Sequence, residues 1–165
     1  MSLVVRAIGE TESAEASAVI QASFVALAAP DWEPNAQSVF LSESSPEALH
    51  QRAAESALIL GAFIESKLVG VLLMRTPSVL GMLFVHPEWL RRGIARSLWE
   101  YARAKIERTF PTVKTVELNS TPYALGFYRA AGFAPISQEF VLGGCRATRM
   151  ACWLPARALG AENAP

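Results

Sequence analysis

Between residues 57 and 85 the chain passes through three apolar stretches, ALILGAFI, KLVGVLLMR and VLGMLFV, parted only by the polar breaks ESK and TPS. Each stretch is short and rich in branched side chains, which favours strands over helices, and the first two read as a hairpin. LVVRAI (Leu3 to Ile8) and PTVKTVELN have the same character. FAPISQEFVL and CRATRMACWL, divided by Gly143 and Gly144, read as a closing antiparallel pair. A sheet therefore organises this chain.

Helical signals lie around those strands. GETES offers turn residues and a cap at Thr11 for a helix through about Ala28, and APDWEPN breaks it. Ser45 before Pro46 opens a second helix through about Glu55, because proline in a first turn sacrifices no internal hydrogen bond. At ~100° per residue, Ile94, Ala95, Leu98, Ala102 and Ile106 fall in one arc, with Arg96, Glu100, Arg103 and Glu107 elsewhere, so this segment is an amphipathic helix. YALGFYRAA is a short helix closed by Gly132, which suits a left-handed terminal position. A helix between VLGMLFV and PTVKTVELN makes those strands parallel neighbours with a right-handed crossover. The expected fold is α/β in the mixed α+β sense: a mostly antiparallel sheet of about six to seven strands with helices on both faces. One domain is expected over residues 1–154, with a frayed tail over residues 155–165.

Fifteen basic and fifteen acidic residues cancel, so no global field draws the chain to nucleic acid or an anionic membrane, and any affinity for an anion must be local. The richest apolar window, Ala14 to Ala29, is interrupted by Glu15, Ser17, Gln21 and Ser23, and the opening residues lack a secretory pattern. A soluble, cytoplasmic protein is expected. Cys145 and Cys152 have no metal-cluster spacing and read as reduced, mostly buried thiols, and no metal is expected.

The segment HPEWLRRGIARSLWEYARAKIE crowds Arg91, Arg92 and Arg96 at the start of its helix, where the exposed N–H groups already carry positive partial charge. No capping side chain occupies Leu90 to Arg92, and Gly93 leaves the backbone bare. An absent anion explains all three features: a phosphate would accept the orphan N–H groups and neutralise the arginines. The competing explanation is a solvated turn whose arginines pair with Glu88 or Glu100. Neither G-x-G-x-x-G nor G-x-x-x-x-G-K-[ST] is present.

Here the sequence resembles the GNAT superfamily of acyl-CoA-dependent N-acyltransferases. VHPEWLRRGIARSLW is similar to its acyl-CoA signature, [QR]-x-x-G-x-[GA] after a strand ending in V-x-P, with Leu90, Arg91, Arg92, Gly93, Ile94 and Ala95 in the matching positions. FYRAAGF, Phe127 to Phe133, matches a second signature, and the element order agrees from Leu3 to about Leu154. Leu90 departs from the usual Gln or Arg, leaving only its backbone N–H for phosphate. The resemblance implies that Met82 to Val85 splays from Val113 to Asn119, that the pantetheine arm of acetyl-CoA pairs with Leu83, Phe84 and Val85, and that the pyrophosphate rests on Arg91 to Arg96. It adds Asn119 and Tyr128 to the cofactor-binding set.

It also implies transfer of an acetyl group from acetyl-CoA to a primary amine by direct attack, with Tyr128 as acid for the departing thiolate and backbone N–H groups near Phe84 and Val85 polarising the thioester oxygen. An amine with pKa near 10.4 needs a proton path at neutral pH. VLGMLFV contains no carboxylate. Glu117, sharing one side of its strand with Asn119, is the preferred base through a water chain, and His86 is the other candidate. For the acceptor, Asp31, Glu33 and Glu43 would greet a cationic amine and Trp32 and Phe40 would line an apolar pocket, unless Leu27 to Ser45 is a solvated loop. The alternative function is a catalytically silent acyl-CoA-binding or regulatory module. Expected partners are a small-molecule or peptide amine, with neither nucleic acid nor membrane, and edge strands admit a homodimer by analogy.

Overall fold

A computed structural model describes residues 2–155. Most of the expected tail, residues 156–165, lies outside them. The strands are β1 (Leu3–Ala7), β2 (Leu58–Ile64), β3 (Lys67–Thr76), β4 (Val79–Val85), β5 (Thr115–Ser120), β6 (Ala134–Pro135), β7 (Phe140–Leu142) and β8 (Cys145–Trp153). The helices are α1 (Ser13–Ser23), α2 (Pro34–Glu43), α3 (Pro46–Glu55), α4 (Ile94–Thr109) and α5 (Leu125–Ala130). The sheet runs β1-β2-β3-β4-β5-β8-β6, with β7 also on β8. Every pair is antiparallel except β4 with β5. No helix among the described residues is long and apolar enough to cross a membrane.

The apolar runs are buried on both faces, as strands covered by helices must be. On one face Leu60, Leu72 and Met74 meet Leu98, Ala102 and Ile106 of α4, together with Trp99. On the other, Leu68, Val71 and Leu73 meet Ala16, Val19 and Ile20 of α1 and Leu49 of α3. The arc expected in α4 is the buried one, while Arg103 and Glu107 pair at 3.0 Å on its flank.

Four local expectations change. Thr11 caps nothing: a single 3-10 turn, Glu10–Glu12, leads into α1, and the Glu12 carboxylate accepts the Gly9 N–H at 2.7 Å. The first helix does not end at APDWEPN as an α-helix; it widens into a π turn over Phe24–Ala28 and tightens again over Ala29–Asp31. Leu27 to Ser45 is no loop, for Pro34 starts α2 with the same first-turn signal that Pro46 supplies to α3. Finally, FAPISQEFVL splits into β6 and β7, which raises the strand count to eight. Pro135 lacks a ladder donor, and beyond it the Ser137 hydroxyl takes the Arg149 N–H at 3.0 Å in place of a backbone carbonyl.

Candidate active site

The parallel pair sets the site. β4 and β5 meet only at Val79 and Glu117, where the Glu117 N–H donates to the Ser78 carbonyl at 2.9 Å. Beyond that point they diverge, so the C-terminal half of β4 is paired on its β3 side alone. An extra residue in β4, Gly81, shifts the register just where the divergence begins. The His86 N–H donates to the Val69 carbonyl at 2.9 Å, which fixes the alternation upstream. Phe84 accordingly turns its peptide groups to β3, while Leu83 and Val85 turn theirs into the notch.

At the end of β4 the chain makes one 3-10 turn, Pro87–Trp89, and enters α4. The first intrahelical bond is from the Ser97 N–H to the Gly93 carbonyl at 3.0 Å, so the N–H groups just upstream lack intrahelical acceptors. Gly93, the N-cap, has φ 75 and offers no side-chain cap, and a Cβ built there would meet nothing within 4 Å. Arg91 has φ 60, a left-handed conformation unusual for a residue with a side chain. Such strain tends to persist where surrounding structure uses it. Of the expected side-chain pairings, only Arg96 to Glu100 forms, at 3.8 Å between exposed groups. Arg92 lies over the Trp89 ring at 4.7 Å.

Notch and helix mouth open into one cavity of about 800 Å³. Leu83, Phe84, Val85, Leu90, Arg91, Gly93, Ile94, Ala95, Arg96, Asn119 and Tyr128 all line it; Arg92 does not. Tyr128 is 8% exposed, its hydroxyl has no hydrogen-bond partner among the described residues, and burial raises its pKa above the ordinary phenol value. It is therefore a protonated donor at neutral pH.

Glu117 is exposed and does not line the cavity, but it shares a face of β5 with Asn119, about 7 Å along the strand. His86 is half-buried outside the cavity, with Nδ1 accepting the Glu88 N–H at 3.3 Å. At the opposite end Trp32, Phe40 and Phe84 line the wall. Asp31 faces Arg146 at 3.7 Å, Glu43 is paired with Arg52 at 3.0 Å, and Glu33 lies on the exposed surface beside Gly144. Sequence reading missed Phe140, Cys145 and Arg146, which join this wall from β7 and β8. Only their distance in the chain hid them.

The family model for the GNAT acetyltransferase domain matches residues 28–154, and the chain belongs to that family. Solved structures share the fold. A GCN5-related N-acetyltransferase from Rhodopseudomonas palustris superposes with TM-score 0.81 at 19% identity, covering 93% of this chain and 97% of its own. The PaiA N-acetyltransferase from Thermoplasma acidophilum, solved with coenzyme A, gives TM-score 0.76 at 21% identity, covering 93% and 100%. The ribosomal-protein-S18-alanine N-acetyltransferase from Escherichia coli gives 0.68 at 16%, covering 96% and 98%.

Proposed function

We propose that this chain transfers an acetyl group from acetyl-CoA to the primary amine of an acceptor by direct attack. The observation that carries the reading is the union, in one cavity, of an open strand edge, an uncapped helix start and a protonated buried phenol. The fit to the coenzyme rests on that donor set. Peptide groups of Leu83 and Val85 are free to take an extended amide-bearing arm as an added strand. The N–H groups from Arg91 to Arg96, with the Arg91 and Arg96 side chains, suit a diphosphate. Leu90 lines the mouth, but its N–H is taken by the Pro87 carbonyl at 3.5 Å and is not free for phosphate, and Asn119 closes the β5 side.

Bound there, acetyl-CoA supplies an acyl group activated as a thioester. The protein's part is to orient and to manage protons. The N–H group of Leu83, deeper in the notch than the arm-pairing Val85, orients the thioester carbonyl, in place of the pair around Phe84 and Val85, since Phe84 faces β3. Tyr128 holds a proton on Oη within the cavity for the departing thiolate. Among the described residues neither carboxylate nor histidine lines the cavity, so the acceptor's proton leaves through water, with the exposed Glu117, on the same face of β5 as the cavity-lining Asn119, as its destination.

The test combines calorimetry with thiol release. Saturable heat with acetyl-CoA, and free thiol only when an amine is added, is the expected result. Heat without amine-dependent thiol would leave a silent binding module, and absence of heat would remove the coenzyme from the account.

A further inference from the structure

We infer that the acceptor is a primary monoamine on an aromatic or branched apolar body, selected by the wall of Trp32, Phe40 and Phe84. This rests on the transferase reading above and names the occupant of the acceptor end of the same cavity. Three separate parts of the chain bring the rings together: the segment following α1, α2 and β4. Phe24, fully buried in the π turn, backs them, stacked on Phe40 at 4.2 Å and edge-on to Trp32 at 4.9 Å. Phe40 in turn meets Trp32 at 5.5 Å and Phe84 at 5.7 Å. Phe84 ties this wall to the reaction point, because its chain neighbours Leu83 and Val85 are the residues whose peptide groups enter the notch. An apolar body resting on such a surface gains from dehydration and ring contact together.

Charge points the same way. Among the described residues no Asp or Glu lines the cavity, so a second ammonium carried into it would lose water without gaining a counter-ion. An aromatic face holds one ammonium weakly, which suits the reacting amine before it loses its proton and offers nothing to another. Of the carboxylates near this end, Asp31 is engaged with Arg146 at 3.7 Å and Glu139 with the same guanidinium at 3.1 Å, while Glu33 lies on the exposed surface beside Gly144, outside the cavity lining. Their surplus negative charge lies in water, where it draws any protonated amine to the mouth without selecting its body.

Calorimetry on the full chain saturated with coenzyme A, titrated with 2-phenylethylamine, ethylamine and spermidine, tests this. The expected result is binding of 2-phenylethylamine about tenfold or more tighter than either of the others. Phe40→Ala should weaken 2-phenylethylamine about fivefold or more beyond whatever it costs ethylamine, and Phe40→Leu, which keeps most of the volume, should give a smaller difference in the same direction. Spermidine binding as tightly as 2-phenylethylamine, equal affinity for ethylamine, or Phe40 variants that treat the amines alike would each overturn the inference. A protein that binds coenzyme A yet shows no aromatic preference loses this inference alone; one that gives no heat with coenzyme A loses the transferase reading and this inference with it.

Discussion

Replacing Arg91 by glycine should make the free protein more stable and its coenzyme complex weaker. The reason lies in φ 60 at Arg91. A side chain in that left-handed region costs about 1–2 kcal/mol. Glycine escapes the penalty but adds about 0.4–1 kcal/mol of unfolded-state entropy. The net gain is about 0.5–1 kcal/mol, which for a chain of this size raises Tm by about 1–4 °C. Arg91→Ala keeps the strain and should leave Tm near the parent's. Both variants lose the guanidinium from the cavity wall. Because that group is exposed and screened, the loss is set at about 1 kcal/mol, or about fivefold in Kd for coenzyme A. The effect should shrink as salt rises. Thermal unfolding of the three proteins without ligand, alongside calorimetry at two salt concentrations, reads both quantities. If the glycine variant melts no higher than the alanine variant, Arg91 stores no strain; if affinity is unchanged in both, its side chain holds no phosphate.

Tyr128→Phe should cut kcat about a hundredfold or more with little change in KM, while Tm holds or rises because the lost hydroxyl had no partner among the described residues. Since burial lifts the Tyr128 pKa above its ordinary value of 10.0, the parent's activity should not decline through phenol ionisation as pH rises to that value. Glu117→Gln should lower kcat/KM at neutral pH about tenfold or more, as loss of a proton acceptor does; an unchanged value would take Glu117 out of the proton path. The Arg6 guanidinium, bonded at 2.7 Å, and the Gly9 N–H hold the Glu12 carboxyl down at about 2, against an ordinary 4.5. A depressed carboxyl stabilises above its unfolded pKa and stops doing so as pH falls through the folded one, so Glu12→Gln should lower Tm at pH 7 and match the parent only below about pH 2.

Periodicity and end signals in the sequence determined the strands from Leu58 to Val85, the buried arc of α4, the cap at Ser45 and the parallel placement of β4 beside β5. These are local or nearly local matters: each depends on side chains a few positions apart and on the handedness of a crossover. The bare helix start at Gly93 was legible for the same reason, since a missing cap and crowded arginines contradict a rule that operates within one turn. The first-turn proline that marks α3 has its counterpart in Pro34 for α2, but Pro34 lies inside the polar stretch APDWEPN, where a proline signals a break as readily as a start. Tertiary structure alone decided the rest. Where β4 parts from β5 follows from pairings across the sheet, with the contact at Val79 and Glu117 alone and Gly81 shifting the register against β3. Which peptide groups face the notch follows from that pairing, and so passes from Phe84 to its neighbours. The acceptor wall joins Trp32 and Phe40 to Phe140, Cys145 and Arg146 across most of the chain, and the Asp31 to Arg146 pair spends a carboxylate that, read in line, looked free for an amine. Contacts between distant residues leave no period in a sequence; they arise only when the sheet has closed the distance between them.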